Sequence, residues 1–410
     1  MALTQPSWQG VEPMPDPAED VFPARPPVVG LTTWPSPHPF VRKGLVSQKP
    51  DGLSGPGLVT MHAPDGGVVG DAIWNPRSDI ALRRLTSGDV RFDELALIDT
   101  IDRAVALRES WPGIDQTDAW RVIHAEADGL SGLIVDRYGD VLSIQLHSAG
   151  WLGLIDPLLE ALHGRLGTAY HTVEMPERVA RLEGVRATSW RSDGCPKKLK
   201  INEYSVRFHV DLAAGHKTGF FCDQRDNRHD FASLVGGADV ADVCCYTGGF
   251  STTALVLGEP KSVTAVDIDE SALATARANA NLNQVRVSLV KSDAFDWLRQ
   301  LGEGDRRFDA MVLDPPKFIA SRSDDRLGRG KYHDLNRLAI QLMRPGGLLL
   351  SCSCSGLLPR DDLLELVRVA ARKAGRNVRL LRSTGAAICH PVHVECPESE
   401  YLKALWLRVD

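Results

Sequence analysis

The stretch ADVADVCCYTGGFSTTALVLGEPKSVTAVDID, residues 238–269, decides the reading of the chain. It opens on an apolar run of the kind found in strands buried on both faces. Two adjacent glycines follow, then a segment with helical spacing, then a second apolar run ending in an acid. Strand, glycine turn, helix and strand make the repeating unit of a parallel α/β sheet. The flanking sequence repeats that unit. A helical segment at 270–283 is followed by strand-like VRVSLVKSD (285–293), FDAMVLDPP (308–316) and GGLLLSCSCS (346–355), and VRLLRSTG (378–385) and YLKALWLRV (401–409) close the series. The expectation is a mostly parallel sheet with helices on both faces.

The 410 residues exceed one ordinary core, so further domains are expected upstream. Residues 1–33 are proline-rich and are expected to form a poorly ordered leader. Residues 34–90 alternate short apolar runs with turns, PDGG at 64–67 among them, and predict a small β-barrel. Its cations Arg42, Lys43, Arg77, Arg83 and Arg84 suit either a solvated surface or a nucleic-acid face. A linker, 91–118, carries a helix with Leu95, Ile98, Ile101, Val105 and Leu107 near one face. Residues 119–214 read as strand, strand, helix, strand, strand, the last strand at 201–211 after a basic turn PKKLK (196–200). The sheet domain occupies 215–410.

Composition is that of a soluble globular protein, 43% hydrophobic and 24% charged, with no run approaching the ~20 apolar residues of a membrane span. No secretory signal is read at the N-terminus, so a cytoplasmic location is expected. Eight cysteines without a CxxC pair exclude a disulfide scaffold and a zinc knuckle, and no metal site is expected. A net charge of -6 gives no global nucleic-acid signature, so any basic surface is local.

Ligands of open α/β sheets bind beyond the carboxyl ends of the strands. The first strand ends in CYTGGF (245–250), where Tyr246 and Thr247 precede Gly248 and Gly249. Glycines there let a ligand approach the backbone, and the next helix N-terminus favours an anionic group. Asp267, with Ile268 beside it, closes the second strand, about twenty residues on, and suits a ribose diol. Asp293 closes the third strand and is placed to reach an adenine edge. Each acid alone reads equally well as a cap. Together they describe an adenosine-containing ligand. NAD is disfavoured because GxGxxG is missing, which leaves S-adenosylmethionine.

The fourth strand ends in LDPPKF (313–318), a stiff turn that displays Asp314 and suggests methylation of a base. The fifth ends in SCSCSG (351–356), bordering the same crevice. Methylation of a ring nitrogen needs no enzyme nucleophile, but carbon 5 of a pyrimidine does. A thiolate added to carbon 6 makes carbon 5 enamine-like, and a base then removes its proton. Cys354 or Cys352 could be that nucleophile and Asp314 the proton handler. Cys354 is nearer the strand mouth, whereas Cys352 is placed deeper and suits a core residue. The basic run 317–331 offers Lys317, Arg322, Arg326, Arg329 and Lys331 as a flexible loop for RNA phosphates.

These segments resemble the RlmI-like family of ribosomal RNA large-subunit methyltransferases, across about residues 34–410. The stretches that carry the resemblance are EADGLSGLIVDRYGD (126–140), GHKTGFFCDQRDNR (215–228), DVCCYTGGF (242–250), LDPPKF, SCSCSG and HPV…PESEYLKALWLRV (390–409). The resemblance implies a PUA-like barrel, an EEHEE-type α+β domain and a Rossmann-like class I methyltransferase domain, α/β with a seven-stranded sheet whose last strand is antiparallel. It implies S-adenosylmethionine as cofactor, formation of 5-methylcytosine in large-subunit ribosomal RNA, and Cys354 as the nucleophile. It also assigns Lys217, Thr218, Phe220, Gln224 and Arg225 to the donor site. The middle domain departs from the family at VEMPERVARLEG (173–184), and the proline-rich leader is atypical. Two other readings stand beside this one: an RNA base N-methyltransferase with inert cysteines, and a non-catalytic RNA-binding assembly factor that keeps a donor pocket. Monomer and homodimer are both open.

Overall fold

Short strands separated by turns fold first into a six-stranded sheet. The computed structural model describes residues 21–212 and 219–410. Strands β1 (Val28–Leu31), β2 (Phe40–Val41), β3 (Val46–Gln48), β4 (Gly57–His62), β5 (Val68–Trp74) and β6 (Leu82–Arg84) lie in the order β2-β6-β5-β4-β1-β3. The PDGG turn joins β4 to β5, as its sequence predicts. The sheet starts earlier than the expected boundary at residue 34. β1 pairs with β3 and β4, and Phe22 packs its ring on Phe92. The rest of the expected leader, 1–20, lies outside the described residues. Arg83 is no surface cation. It is buried between Glu126 and Glu183, at 3.6 and 3.8 Å.

Helix α1 (Glu94–Glu109) begins at Asp93, whose carboxylate caps the amide of Ala96. Its buried face is Leu97, Ile101, Ala104, Val105 and Arg108, while Leu95, Ile98 and Leu107 face solvent. The expected face is therefore rotated, because a charged residue holds a core position. Arg108 forks onto Asp128 at 2.5 and 2.8 Å and donates to the Cys389 carbonyl at 2.8 Å.

Strands β7 (Ala119–His124), β8 (Leu133–Tyr138) and β9 (Val141–Leu146), helix α2 (Ile155–Leu166), strand β10 (Tyr170–Met175), helix α3 (Glu177–Glu183) and strand β11 (Thr188–Arg191) form the second unit. Its five strands run in the order β11-β10-β9-β8-β7. The strand expected at 201–211 is not among them. Residues 198–211 make a separate hairpin, β12 (Lys198–Glu203) and β13 (Val206–Asp211). Its turn interrupts the run at Tyr204 and Ser205, both in left-handed backbone.

The last unit runs α4 (Arg225–Ala232), β14 (Asp239–Val243), α5 (Gly249–Leu257), β15 (Ser262–Asp267), α6 (Glu270–Leu282), β16 (Ser288–Lys291), α7 (Ala294–Gly302), β17 (Phe308–Leu313), α8 (Asp325–Leu342), β18 (Met343–Ser353), α9 (Arg360–Ala374), β19 (Val378–Thr384) and β20 (Lys403–Val409). Seven strands lie in the order β16-β15-β14-β17-β18-β20-β19. Only β20 runs antiparallel to its neighbours, β18 and β19. The β12–β13 hairpin docks on α6: the amides of Arg207 and His209 donate to the side chains of Asn283 and Asn279 at 2.9 and 2.8 Å.

Apolar residues cover both faces of this sheet. One face holds Met311, Leu313, Tyr332, Leu349 and Leu405; the other holds Val240, Val312, Leu350, Cys352 and Trp406. Each fully buried large apolar side chain contributes about 1.5–3 kcal/mol. Strand order reverses between β14 and β17, which opens a crevice at their carboxyl ends.

Candidate active site

β14 ends in a loop whose backbone is unusual without a ligand. Cys244 and Tyr246 have φ of +63° and +49°, a left-handed conformation that costs non-glycine residues roughly 1–3 kcal/mol. Asp267 holds the loop there. Its Oδ2 accepts the Tyr246 amide at 2.8 Å and its Oδ1 accepts the Asp269 amide at 2.9 Å. Asn279 adds a bond from its side-chain amide to the Thr247 carbonyl at 2.9 Å.

Gly248, at φ +75°, begins the first turn of α5, and a Cβ there would lie 3.0 Å from Ala276. A Cβ on Gly249 would press on Arg228 at 3.1 Å. Asp242, buried on β14, accepts both the amide and the hydroxyl of Ser251, at 2.9 and 2.6 Å, and so ties the α5 N-terminus to the strand. Burial raises its carboxyl to about 6 against the lowering effect of Ser251.

The acids at successive strand ends converge. The Cys244 thiol is pushed up by burial and then by the carboxylates of Asp267, Asp314, Asp242 and Asp293, which all face it. Ile268 leaves an apolar side chain 66% exposed beside Asp267, a surface suited to the face of a purine. Asp293 does act as the cap of α7, taking the amides of Phe295 and Asp296 on Oδ1. This leaves its second oxygen for an adenine amine. The residues present therefore fit an adenosine-type donor: a backbone cradle, a diol-binding acid, an apolar face and an edge acceptor.

The donor segment before β14 divides. Lys217 and Thr218 lie outside the described residues. Phe220 is buried against Phe208 at 5.0 Å, and its neighbour Phe221 meets the Tyr246 ring at 5.2 Å. Arg225 is fully buried, with its guanidinium 4.0 Å over Trp111 and Nε on Asp226 at 3.1 Å. It holds α4 against the linker. Gln224 is buried against the Cys352 thiol. Arg228, which sequence reading passed over, forks onto Glu203 at 2.9 and 2.7 Å and fixes the hairpin to α4.

On the other side of the crevice, Leu313 pairs with Ser351, so Asp314 leaves β17 level with Cys352. Cys352 is 1% exposed and belongs to the core, its thiol pushed well up by burial. Cys354, just past the end of β18, is half-buried. Asp314 and Cys354 both lie near enough to Cys352 to raise its thiol further. Ser355 locks the loop. Its hydroxyl accepts the Ile319 amide at 3.2 Å and lies 2.9 Å from the Tyr332 hydroxyl.

The basic run 317–331 is not a flexible loop. Ser321 and Asp324 form a reciprocal capping box and α8 starts at Asp325. Lys317, Arg322 and Arg326 are exposed. Arg329 is held by Asp325 at 2.9 Å and Asp362 at 2.7 Å, and Lys331 lies 5.5 Å over the Phe318 ring. Exposed Arg178, on α3 in the divergent stretch, faces Asp324 across the domain boundary. Among the described residues no helix is long and apolar enough to cross a membrane.

Such a sheet and crevice are those of an enzyme that takes its methyl group from S-adenosylmethionine. A family model for S-adenosylmethionine-dependent methyltransferases matches residues 177–382. A protein of Salmonella paratyphi C named ribosomal RNA large subunit methyltransferase I is 35% identical over 382 residues, 91% of this chain and 94% of that one. One of the same name from Salmonella arizonae is 36% identical over 388 residues, with the same coverage. The chain belongs to the S-adenosylmethionine-dependent methyltransferase family, in the group of these ribosomal RNA large subunit methyltransferases I. Solved structures agree on the fold. A Streptococcus mutans protein described as SAM-dependent superposes with a TM-score of 0.73 at 20% identity, over 87% of this chain and 92% of that one. A methyltransferase crystallised with SAH gives 0.77 at 18% identity, over 93% and 99%.

Proposed function

We propose that this enzyme methylates carbon 5 of a cytosine in large-subunit ribosomal RNA, through a covalent adduct with Cys354, in the cytoplasm. The name of its relatives supports the RNA class. The observation that carries the chemistry is the contrast between the two cysteines: Cys352 is sealed in the core, and Cys354 stands half-exposed just past the end of β18.

S-adenosylmethionine, when bound, supplies an electrophilic methyl group. The Cys354 thiolate adds to carbon 6, forming a C–S bond, and ring nitrogen 3 takes up a proton. Carbon 5, now enamine-like, takes the methyl group as the methyl–sulfonium bond breaks, leaving S-adenosylhomocysteine. Asp314 receives the proton from carbon 5, the C5–C6 double bond returns, the C–S bond breaks to release the thiolate, and nitrogen 3 gives its proton back to solvent. Tyr246–Gly249, Asp267, Ile268 and Asp293 hold the donor.

Exposed Lys317, Arg322, Arg326 and Arg178 make a cationic rim for RNA phosphates, and the target base must leave its stack to enter. The two N-terminal sheets correspond in this reading to the PUA-like and EEHEE-type domains and dock the RNA. Mass-spectrometric mapping of ribosomal RNA nucleosides with and without the protein tests the product. Cys354→Ala is expected to abolish 5-methylcytosine formation while Cys352→Ala retains it. Full turnover by Cys354→Ala sinks the nucleophile assignment.

A further inference from the structure

We propose that the ammonium of Lys403 is the fixed counter-charge of the Cys354 thiolate, an assignment that rests on Cys354 being the nucleophile. Lys403 opens β20 and pairs across the sheet with Ser353. It is 2% exposed. Its Nζ donates to the Ser355 carbonyl at 2.6 Å and to the Tyr401 carbonyl at 2.9 Å. The ammonium is therefore anchored to the residue that follows Cys354.

Both acceptors are neutral carbonyls, and among the described residues no carboxylate lies within salt-bridge distance of this lysine. A buried cation solvated only by dipoles is costly, and a neighbouring anion offsets that cost. The charged and titratable groups facing it are few: Cys354 from the end of β18, Glu400 on its own loop and Lys317 from the β17 loop. Burial brings the ammonium down to about 8, and Cys354 is the foremost group that raises it again.

From the other side, Cys354 faces the Tyr332 phenol on α8, Cys352 and, beyond it, Asp314. Asp314 disfavours a thiolate, so a cation is needed for Cys354 to ionise near neutral pH. Lys403 supplies it while protonated, at pH values below about 8. Since the same ammonium binds the Ser355 carbonyl, it also aims the loop.

The test is the pH profile of iodoacetamide alkylation at Cys354, read by peptide mapping in the full-length protein. In the wild type the midpoint is expected below the ~8.5 of a free thiol. In Lys403→Met it is expected to rise by about one unit or more, so that alkylation below both midpoints slows ~10-fold, and Lys403→Arg restores the lower value. An unshifted profile in folded Lys403→Met overturns the proposal. Should Lys403→Met fail to fold, a wild-type midpoint at or above that of a free thiol overturns it and one below supports it. Failure of the nucleophile reading looks different: Cys354→Ala still methylates RNA. Failure of the Lys403 assignment alone leaves methylation dependent on Cys354 with an unshifted profile.

Discussion

The Ser355 hydroxyl accepts the backbone amide of Ile319 at 3.2 Å, and this bond joins the cysteine loop after β18 to the Asp-Pro-Pro loop after β17. The same oxygen lies 2.9 Å from the Tyr332 hydroxyl. Ser355→Ala leaves the buried Ile319 amide without its acceptor, at a cost of about 1–3 kcal/mol. The expected result is a lower urea midpoint and a methylation rate that falls ~10-fold or more, because loops misplaced by about 1 Å lose orientation. Donor affinity is expected to be unchanged, since the donor cradle lies across the crevice.

Asp267→Asn tests that cradle. The amide group must turn one NH2 toward Tyr246 or Asp269, whose amides the carboxylate now satisfies. Both the loop and the diol contact suffer. Titration calorimetry with S-adenosylhomocysteine should show affinity reduced by ~10-fold or more, about 1.4 kcal/mol. Unchanged affinity removes Asp267 from the donor site.

Glu203→Gln breaks the buried fork with Arg228 and leaves a guanidinium without its counter-charge. Losing one partner of a buried pair costs about 3–5 kcal/mol. Denaturant unfolding should report a loss of that order, whereas a loss below about 1 kcal/mol argues that water reaches the pair.

Acid should loosen the junction between the middle unit and the C-terminal segment. The rings of His124 and His390 meet edge to face with centroids 5.0 Å apart, and burial, then Arg121, holds both well below the ordinary imidazole value. His147 and His171 are likewise brought down to about 4. A depressed base stabilises fully above its unfolded value near ~6.5, and that stability is lost as pH falls below it. Each such proton steepens the loss by about 1.4 kcal/mol per pH unit. Calorimetric Tm should drop between about pH 7 and 5, and His390→Gln should flatten the slope by one proton. Asp242 works oppositely: its raised carboxyl removes stability as pH climbs from about 4 to 6, so Asp242→Asn should gain over the wild type across that window.

What could be read in advance lay at strand ends. CYTGGF, the acids at 267, 293 and 314, and the paired cysteines stand where apolar runs stop, so local pattern alone exposes them. Lys403, Asn279, Glu203 and Asp242 answer partners that folding brings from other elements, and no local pattern announces such a pairing. Arg108 turned the predicted face of α1 because a cation in a helical stripe reads as solvent-facing until Asp128 is seen beneath it. The start of α8 was a different kind of miss. SRSD at 321–324 is a capping-box signature, which reading the run for its charge alone passes over.

β20 is the last of the seven strands to be synthesised, yet it sits inside the sheet between β18 and β19 and carries Lys403 at its start. Until residues 403–409 emerge from the ribosome, β18 has an open edge and β19 lacks the strand it pairs with, so this part of the sheet cannot zip up in the order in which it is made.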